Sequence, residues 1–506
     1  MNHAIVMAAL LPGLVGALIV LAMRNDLTLA RVFSLASNGV LVVLSLALLV
    51  QASTGEPQAY FLGNWPAPFG IVLVLDRLSA LLVALTAILA LVVLLYVIGT
   101  GWDARGRHFH ALWQFQLMGV CGAFLTGDAF NLFVFFEILL IASYGLMIHG
   151  GGGARVRAGV QYVGYNLLGS TLFLFALGTL YGVTGTLNIA DMAGRMAELP
   201  DGDAALARVG AVLLLLVFAV KGALVPLQFW LPATYALAPG PVAALFAIMT
   251  KVGAYAVIRF YTLVFPADLP ATGPIIADLL LPAALATLAI GMIGVLGATG
   301  LARLAAFAAI GSMGTLFVAV SAFTPEATAA ALYYLVHSTI AGALLFLVAD
   351  MVIARRGSDS LRAALPPVAQ NGLVAALFFA AAIAMAGMPP LSGFLGKLLV
   401  LDALGGRPDT GAIWAAVLVT SLVAVVGMAR AGSVLFWKAH ATGDAPAPAP
   451  AAALPMVAAF ALLGLLALQT VMAGPAMAWL ERTAEQIHDG SGYIAANRLS
   501  GGEEEP

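Results

Sequence analysis

The sequence predicts an all-α polytopic membrane protein with about fourteen transmembrane helices. Of its 506 residues, 62% are hydrophobic and only 9% are charged, whereas an ordinary soluble domain is about half apolar and a quarter charged. The mean hydropathy is +1.03. A water-facing globule of this size could not cover its surface with so few polar side chains, so lipid must be the main solvent.

Long apolar runs recur along the whole chain, separated by short polar gaps. A helix needs about 20 residues to cross a hydrocarbon core of about 30 Å, and nearly all the runs reach that length. The runs do not alternate between apolar and polar residues, which argues against a transmembrane β-barrel. We number them as spans one to fourteen: 3–23, 30–50, 72–98, 111–126, 129–149, 158–185, 208–232, 240–265, 272–295, 300–322, 328–354, 371–404, 411–437 and 453–480.

The composition also excludes several kinds of protein and site. The net charge of −2 leaves no basic excess for nucleic acid. A single cysteine, Cys121, cannot form a disulfide framework, a cysteine zinc site or an iron–sulfur site within this chain. We find no phosphate loop, HExxH motif or nucleophile elbow, so no cofactor is predicted. The run from Ala4 to Met23 follows no basic segment and is predicted to be the first transmembrane helix, not a cleaved signal.

The basic residues of the connections predict an orientation. Positively charged loops stay in the cytoplasm, and the odd-numbered connections carry most of the positive charge. The odd connections are therefore predicted to be cytoplasmic, with both termini outside. The basic residues there are Arg24, Arg31, Arg105, Arg107, Arg155, Arg157, Arg303, Arg355, Arg356, Arg362 and Lys438, against Arg195, Arg208 and Arg407 in the even connections.

Three segments are predicted to lie outside the membrane core. Residues 186–207 should hold a short surface helix, because apolar residues recur at helical spacing. Residues 444–455, DAPAPAPAAALP, read as a stiff Pro/Ala linker. The polar tail from Glu481 onward is expected to fray.

The four lysines of the chain are placed unusually. Lys438 lies at a helix end, where it can snorkel, but Lys221, Lys251 and Lys397 lie inside apolar spans. Arginine, which keeps its proton, serves most of the loops instead. A buried lysine can release its proton, so this division favours proton handling over simple positive charge.

Several titratable groups are predicted to share one depth in the membrane. Glu137 lies nine residues after Asp128, His337 nine after Thr328 and Lys251 eleven after Gly240, which is about 13–16 Å into each helix. Lys221, in the middle of span seven, is the fourth such group. Each central charge costs about 2.5–3.5 kcal/mol, so the set of four is expensive. A static Glu–Lys bridge is one interpretation; proton or cation handling is the favoured one.

Two spans carry helix breakers next to a buried lysine. Span seven has Lys221 followed by Pro226 and Pro232, and span twelve has the run GMPPLSG, 387–393, before Lys397. Proline removes a backbone donor and exposes carbonyls, which only protein or a wet cavity can satisfy inside a membrane. Paired broken helices, one in each half, indicate inverted repeats around an ion path.

Three carboxylates are expected to have simpler roles. Asp76 should be an interfacial helix cap more than a relay member, and Asp128 should cap span five. Asp350 is expected to pair with Arg355 and Arg356 at the cytoplasmic edge.

Two arginines and one histidine have less definite roles. Arg259 and Arg430 are expected to snorkel, although Arg259 could also weaken the hold of Lys251 on its proton. For His337, both a neutral hydrogen-bonded ring and a proton carrier stay open.

Long segments resemble a known family. KGALVPLQFWLPATYALAPGPVAALFAIMTKVGAYAVIRF, 221–260, is similar to the signature of the antiporter-like subunits of respiratory complex I, membrane-bound hydrogenases and Mrp cation/proton antiporters. GDAFNLFVFFEILLIASYGL, YFLGNWPAPFGIVLVLDRLSAL and YGVTGTLNIADMA resemble the D-type branch of the Mrp (Mnh, Pha) antiporters. The likeness covers essentially the whole chain.

The resemblance implies a division of the chain. Residues 1–110 would hold helices one to three, 111–265 a first five-helix repeat and 272–437 a second, inverted repeat, with helices seven and twelve broken. Residues 438–506 would hold the linker, the last helix and the tail.

The resemblance also implies a proton relay. Glu137 matches the helix-five glutamate and Lys221 the helix-seven lysine that pairs with it; Lys251, His337 and Lys397 match the relay positions of helices eight, eleven and twelve. We call these five residues the midplane row. Many relatives carry a lysine four residues after the histidine, where this chain has Ala341, so a step through that position is in doubt.

The implied function is transport by one subunit of a larger complex. The chain would move protons along the midplane row in exchange for cytoplasmic sodium, in the plasma (inner) membrane of a prokaryote, as a secondary transporter and not an enzyme. The alternatives are a proton-pumping subunit of a complex I-like or hydrogenase complex, and a scaffold subunit with a vestigial relay. The sequence does not assign residues to the transported cation.

Overall fold

The architecture is a bundle of long apolar helices. The computed structural model describes residues 2–23, 25–199, 204–273, 275–441 and 453–497. Within these ranges, twelve helices are long and apolar enough to cross a membrane, with Gly240–Leu263 counted as one helix despite a short interruption. The predicted polytopic helical membrane protein is confirmed.

The helices follow the predicted spans closely. The two spans outside those twelve are span four, whose helix has 17 residues, and span twelve, which is split in two. In chain order the helices are α1 (His3–Ala22), α2 (Leu27–Thr54), α3 (Arg77–Thr100), α4 (Phe109–Leu125), α5 (Ala129–Met147), α6 (Gly153–Thr184), α7 (Ile189–Ala197), α8 (Ala204–Gly222), α9 (Trp230–Leu237), α10 (Gly240–Phe246), α11 (Met249–Leu263), α12 (Ile275–Gly297), α13 (Leu301–Val320), α14 (Pro325–Arg356), α15 (Asn371–Ala386), α16 (Ser392–Ala403), α17 (Thr410–Gly432), α18 (Ala453–Val471), α19 (Ala473–Asp489) and α20 (Ser491–Ala496).

The helix breaks in spans seven and twelve are confirmed. Helix α8 ends at Gly222, and the chain becomes helical again only at Trp230. Helix α15 ends at Ala386, and α16 begins at Ser392 after Gly387, whose φ of +77° suits glycine. The prolines within each gap cannot donate to a helix ladder, so the chain leaves the helix there.

A small hairpin precedes α3. Strands β1 (Gln58–Phe61) and β2 (Val72–Leu75) pair antiparallel. The sequence prediction was wrong at this end of span three, because residues 72–75 belong to a strand and the helix starts only at Arg77. The β-branched residues of this stretch favour a strand, and the apolar run hid its boundary.

The surface helix is confirmed, and the expected fraying of the tail is wrong as far as residue 497. Helix α7 buries Ile189, Met192 and Met196. Helices α19 and α20 continue the chain past Glu481, because α19 is amphipathic and packs one apolar face on the bundle. Residues 498–506 and residues 444–452 of the predicted linker lie outside the described residues.

The carboxylates at the helix ends act as caps, with one difference from expectation. Asp76 caps α3 and Asp128 caps α5, both as predicted. Asp350 does not pair with the arginines that follow it. It accepts hydrogen bonds from Tyr96 Oη at 2.8 Å and Trp102 Nε1 at 3.1 Å, because its side chain points into the bundle.

Arg259 and Arg430, both expected to snorkel, differ in burial and in the groups that they contact. Arg259 is only 3% exposed and forms an ion pair with Asp76, so the expectation that it snorkels was wrong. Arg430 is partly buried, and its Nη2 donates to the carbonyl of Ala298 at 2.6 Å. A cation at the carboxyl end of α12 complements the helix dipole.

Candidate functional site: a row of buried titratable groups

Glu137 lies two and a half turns into α5. Asp128 fixes the start of this helix by accepting a hydrogen bond from the Asn131 backbone at 2.6 Å. The Glu137 side chain is partly buried, and its carboxylate accepts a hydrogen bond from Ser170 Oγ on α6. Ser170 therefore orients the first carboxylate of the midplane row.

Lys221 lies in the last turn of α8, immediately before the break in span seven. It is 3% exposed, and its Nζ has no hydrogen-bond partner among the described residues. The Phe136 ring lies 5.7 Å from Nζ. The negative end of the α8 dipole and the face of this ring both favour an ammonium group there.

A small cavity separates Lys221 from Ser170. Its volume is about 20 Å³, and Asn166, Gly169 and Ser170 line it together with Lys221. This volume admits about one water molecule. The described ion pairs do not include the expected Glu137–Lys221 contact, because Ser170 holds Glu137 and this cavity lies beside the lysine.

Lys251 follows the short interruption between α10 and α11. It is 2% exposed, and its Nζ contacts Met313 Sδ at 3.2 Å. A Cβ on Gly222 would lie 3.7 Å from Met313 Cε, so the same methionine also packs beside the break of span seven. A thioether carries no exchangeable proton, so transfer between Lys221 and Lys251 requires water.

His337 lies on α14, against the break of span twelve. Its Nδ1 is 2.8 Å from Ser392 Oγ, and the ring also hydrogen-bonds the carbonyl of Ala384. The ring is within electrostatic range of both Lys251 and Lys397. These two hydrogen bonds suit a neutral imidazole that donates to the carbonyl and accepts from the hydroxyl.

Lys397 lies on α16 and turns back toward the break. Its Nζ donates to the carbonyl of Ala386 and to Ser421 Oγ, both at 2.8 Å. A Cβ on Gly387 would lie 2.6 Å from Lys397 Cδ, so only glycine leaves room for this path. The ammonium group is therefore fixed at the carboxyl end of α15.

Glu137 interacts electrostatically with Lys221. His337 interacts in the same way with Lys251 and Lys397. Two gaps interrupt this set of five predicted residues. One gap is the cavity beside Lys221, and the other is the Met313 thioether. Three residues that contact Glu137, Lys251 and Lys397 were not predicted from the sequence: Ser170, Met313 and Ser421. Serine and methionine are ordinary in membrane helices, so only their spatial position reveals this role.

The chain matches a family model and curated relatives. Residues 126–426 match the family described as "NADH:quinone oxidoreductase/Mrp antiporter, TM". The chain is 39% identical to the D-type subunit of a probable K(+)/H(+) antiporter of Rhizobium meliloti, over 96% of each chain. It is 37% identical to the D-type subunit of the Na(+)/H(+) antiporter of Bacillus subtilis, over 98% of this chain and 99% of the relative.

Solved structures show the same architecture. A chain of the Mrp complex from Dietzia sp. superposes with a TM-score of 0.86 at 28% identity, covering 98% of this chain and 100% of that one. A chain of respiratory complex I from Thermus thermophilus superposes with a TM-score of 0.80 at 27% identity, covering 96% of this chain and 99% of that one.

Proposed function

Because this chain belongs to the NADH:quinone oxidoreductase/Mrp antiporter family, we propose that it is the D-type, proton-translocating subunit of a multisubunit monovalent cation/proton antiporter. The observation that carries the proposal is the buried ammonium group of Lys221, which has no hydrogen-bond partner among the described residues and lies beside a water-sized cavity. The chain buries three further basic groups, those of Lys251, His337 and Lys397. Burying so many ionisable groups is costly, and proton transport is a use that accounts for the cost.

In this proposal, protons enter and leave through hydrated half-channels that meet at the midplane row. When a water in the cavity links Glu137 to Lys221, the carboxylate stabilises the ammonium group. Loss of that link weakens the hold of Lys221 on its proton, which then moves toward Lys251 and on to Lys397. The membrane potential contributes about 2.3 kcal/mol per charge per 100 mV, which is enough to bias such steps.

The surrounding assembly is also part of the proposal. The structural relatives are chains of multisubunit complexes, and we infer that this chain likewise works with partner subunits. It would lie in a prokaryotic plasma membrane with both termini outside. Residues 111–265 and 272–437 would form its two inverted repeats, and sodium would leave the cytoplasm as protons enter. The two named relatives differ in their cation, so sodium is the specific choice to test.

Exchange in membrane vesicles tests the function directly. The complete complex is expressed in a host that lacks its own antiporters, everted vesicles are energised, and a pH-sensitive dye reports proton movement. We expect sodium addition to dissipate the pH gradient, with lithium, potassium and calcium compared in turn. A complex with Glu137→Gln should lose the sodium response, because the amide cannot exchange a proton or stabilise an ammonium group. Wild-type exchange by this variant would contradict the proposal.

A redox-driven proton pump is the second candidate, supported by the superposition on a complex I chain. It makes a different prediction in the same vesicles. A pump subunit would acidify the lumen only when an electron donor is supplied, and added cations alone would release no protons.

A further inference from the structure

The carboxyl end of α8 and the start of α11 are in direct backbone contact. A Cβ on Gly253 of α11 would lie 2.7 Å from the Gly222 nitrogen and 2.8 Å from the Phe218 carbonyl oxygen, both of α8. Glycine therefore permits a close crossing of the two helices. Lys221 directly precedes Gly222, and Lys251 lies two residues before Gly253. The two lysines thus flank one helix crossing.

A side chain of the short helix α9 bonds the end of α8. Trp230, the first residue of α9, donates from Nε1 to the carbonyl of Val220 at 2.9 Å. Val220 directly precedes Lys221 in the last turn of α8. The carbonyls of a last turn have no amide partner within their own helix. The indole therefore supplies a donor at the point where span seven breaks.

Tyr235 of α9 makes the corresponding contact at the interruption of span eight. Its hydroxyl donates to the carbonyl of Phe246 at 2.9 Å. Phe246 is the last residue of α10, and Lys251 follows in the first turn of α11. Here too a side chain of α9 bonds a carbonyl at a helix end, close in sequence to a lysine of the midplane row.

The rings of Trp230 and Tyr235 pack on each other and on neighbouring helices. Their centroids are 5.8 Å apart in an edge-to-face arrangement. Tyr162 of α6 stacks on Trp230 at 5.3 Å, and Phe346 of α14 lies edge-to-face with Tyr235 at 5.9 Å. Both rings of α9 are buried. Because a packed interior leaves no space for a ring to move alone, a shift of one ring displaces the other.

The far end of α9 is held at its corner with α10. Arg155 Nε donates to the carbonyl of Leu237, the last residue of α9, at 2.7 Å. The Asp350 carboxylate accepts from the backbone N–H of Gly240, the first residue of α10. A Cβ on Gly240 would lie 2.3 Å from Asp350 Cβ, so this approach requires glycine. With the corner held, a shift at the first residue of α9 tilts the helix and moves its other contacts.

We propose that α9 couples the break of span seven to the interruption of span eight, with Trp230 and Tyr235 as positioning residues. They keep Lys221 and Lys251 at the spacing that proton transfer through water requires. The contacts form a closed ring through α8, α9, α10 and α11. Placement matters because an error of about 1 Å can slow a reaction about a hundredfold. This coupling rests on the proposed antiport function and adds two residues that act on the lysines through the backbone.

Removal of each hydrogen bond tests the coupling in the complete complex. Tyr235→Phe removes only the hydroxyl, and Trp230→Phe removes the indole N–H. We expect each variant to slow sodium-driven exchange, measured per assembled complex, about tenfold, because a buried carbonyl loses its donor. The apparent KM for sodium should not change, since these residues affect a proton step and not cation binding.

Tyr261→Phe is the matched control. The Tyr261 hydroxyl donates to the carbonyl of Ala211 at 2.7 Å and so also joins α11 to α8. Tyr261 and Ala211 each lie ten residues from the lysine of their own helix. The variant removes the same kind of bond between the same two helices, but away from the crossing. It should exchange like the wild type.

The double variant distinguishes coupling from two separate effects. If both bonds act through one helix, Trp230→Phe with Tyr235→Phe should be about as slow as either single variant. Two independent effects would multiply to a loss of roughly a hundredfold. Hydrogen exchange of the backbone gives a second measurement. Tyr235→Phe should lower amide protection in residues 247–251 and also in residues 222–229, at the opposite end of α9.

Three results would overturn the coupling. They are exchange in both single variants equal to that of Tyr261→Phe, multiplied losses in the double variant, and lost amide protection confined to residues 247–251 in Tyr235→Phe. Failure of the proposed function is distinguishable from these results. A wild-type complex without cation-driven exchange, in which Tyr235→Phe still lowers amide protection at both ends of α9, would contradict antiport and leave the coupling intact.

Discussion

The helix breaks of spans seven and twelve place a lysine in the same electrostatic setting but hold it differently. Lys221 lies in the last turn of α8, and the Lys397 ammonium lies against the last carbonyl of α15. Both therefore lie at the negative end of a half-helix dipole. Lys397 makes two hydrogen bonds, one of them to Ser421, whereas Lys221 makes none with the described residues.

This difference in hydrogen bonding indicates which lysine can release its proton at the lower cost in free energy. Breaking the contacts of Lys397 leaves a buried carbonyl without its partner, which costs about 1–3 kcal/mol. Lys221 has no hydrogen bond to the described residues to lose, only its interactions with the dipole, the Phe136 ring and the charge of Glu137. Its neighbouring cavity can hold a water. We expect the Lys221 side chain to move as it carries the proton, and the Lys397 side chain to stay in one position.

Lys221→Ala should have the largest effect. Removing the mobile carrier should reduce sodium-driven proton exchange in everted vesicles on the order of a thousandfold, the range of a lost acid–base group. Lys221→Arg should be equally inactive, because arginine does not release its proton. The control is Lys438→Ala at a helix end, which should exchange like the wild type. An active Lys221→Arg would show that charge alone suffices there.

Ser421→Ala should have an intermediate effect. It removes one of two hydrogen bonds to the Lys397 ammonium, worth about 1.5–3 kcal/mol for a charged donor, and we expect about a tenfold slower exchange. The control is Thr420→Val, because the Thr420 hydroxyl bonds only its own helix, at Ala416 and Val417. Equal rates for the two variants, measured in the same vesicles, would mean that Lys397 is not held through Ser421.

Gly169→Ala should have the smallest effect on rate and should act only near Lys221. The new methyl would enter the cavity that separates Ser170 from Lys221, with Val220 at 3.4 Å, and would exclude its water. Exchange should slow several-fold, although the fold gains about 1 kcal/mol from replacing a helical glycine. Gly164→Ala and Gly178→Ala on the same helix meet nothing within 4 Å and should leave exchange unchanged. Unchanged exchange in Gly169→Ala would exclude this water as the link.

The sequence predicted the breaks and the buried lysines because both depend on local chemistry. Proline cannot donate to the helix ladder wherever it stands, and a lysine within an apolar run must be buried or snorkel. The predicted start of the helix at Gly240, from which the depth of Lys251 was counted, agrees with the start of α10. These conclusions needed no knowledge of which helices touch.

The partners could not be predicted, since they depend on packing between distant segments. Arg259 and Asp76 are 183 positions apart and pair only because α11 lies beside the start of α3. The contact of Lys251 with Met313 and the separation of Glu137 from Lys221 likewise depend on helix positions. The likeness to a family supplied residue roles, but not the serine and the cavity that intervene here.

The last helices of the chain pack across one end of the bundle. Trp479 donates to Ser53, Gln486 accepts from the backbone of Arg77, and Tyr493 covers the guanidinium of Arg259. A ribosome makes these residues after helices α1 to α18. Until they are made, the Arg259–Asp76 pair lacks the ring of Tyr493 and has only that of Tyr255 beside the guanidinium. A protein truncated before residue 473 would therefore leave this charge pair less covered than a chain with α19 and α20 does.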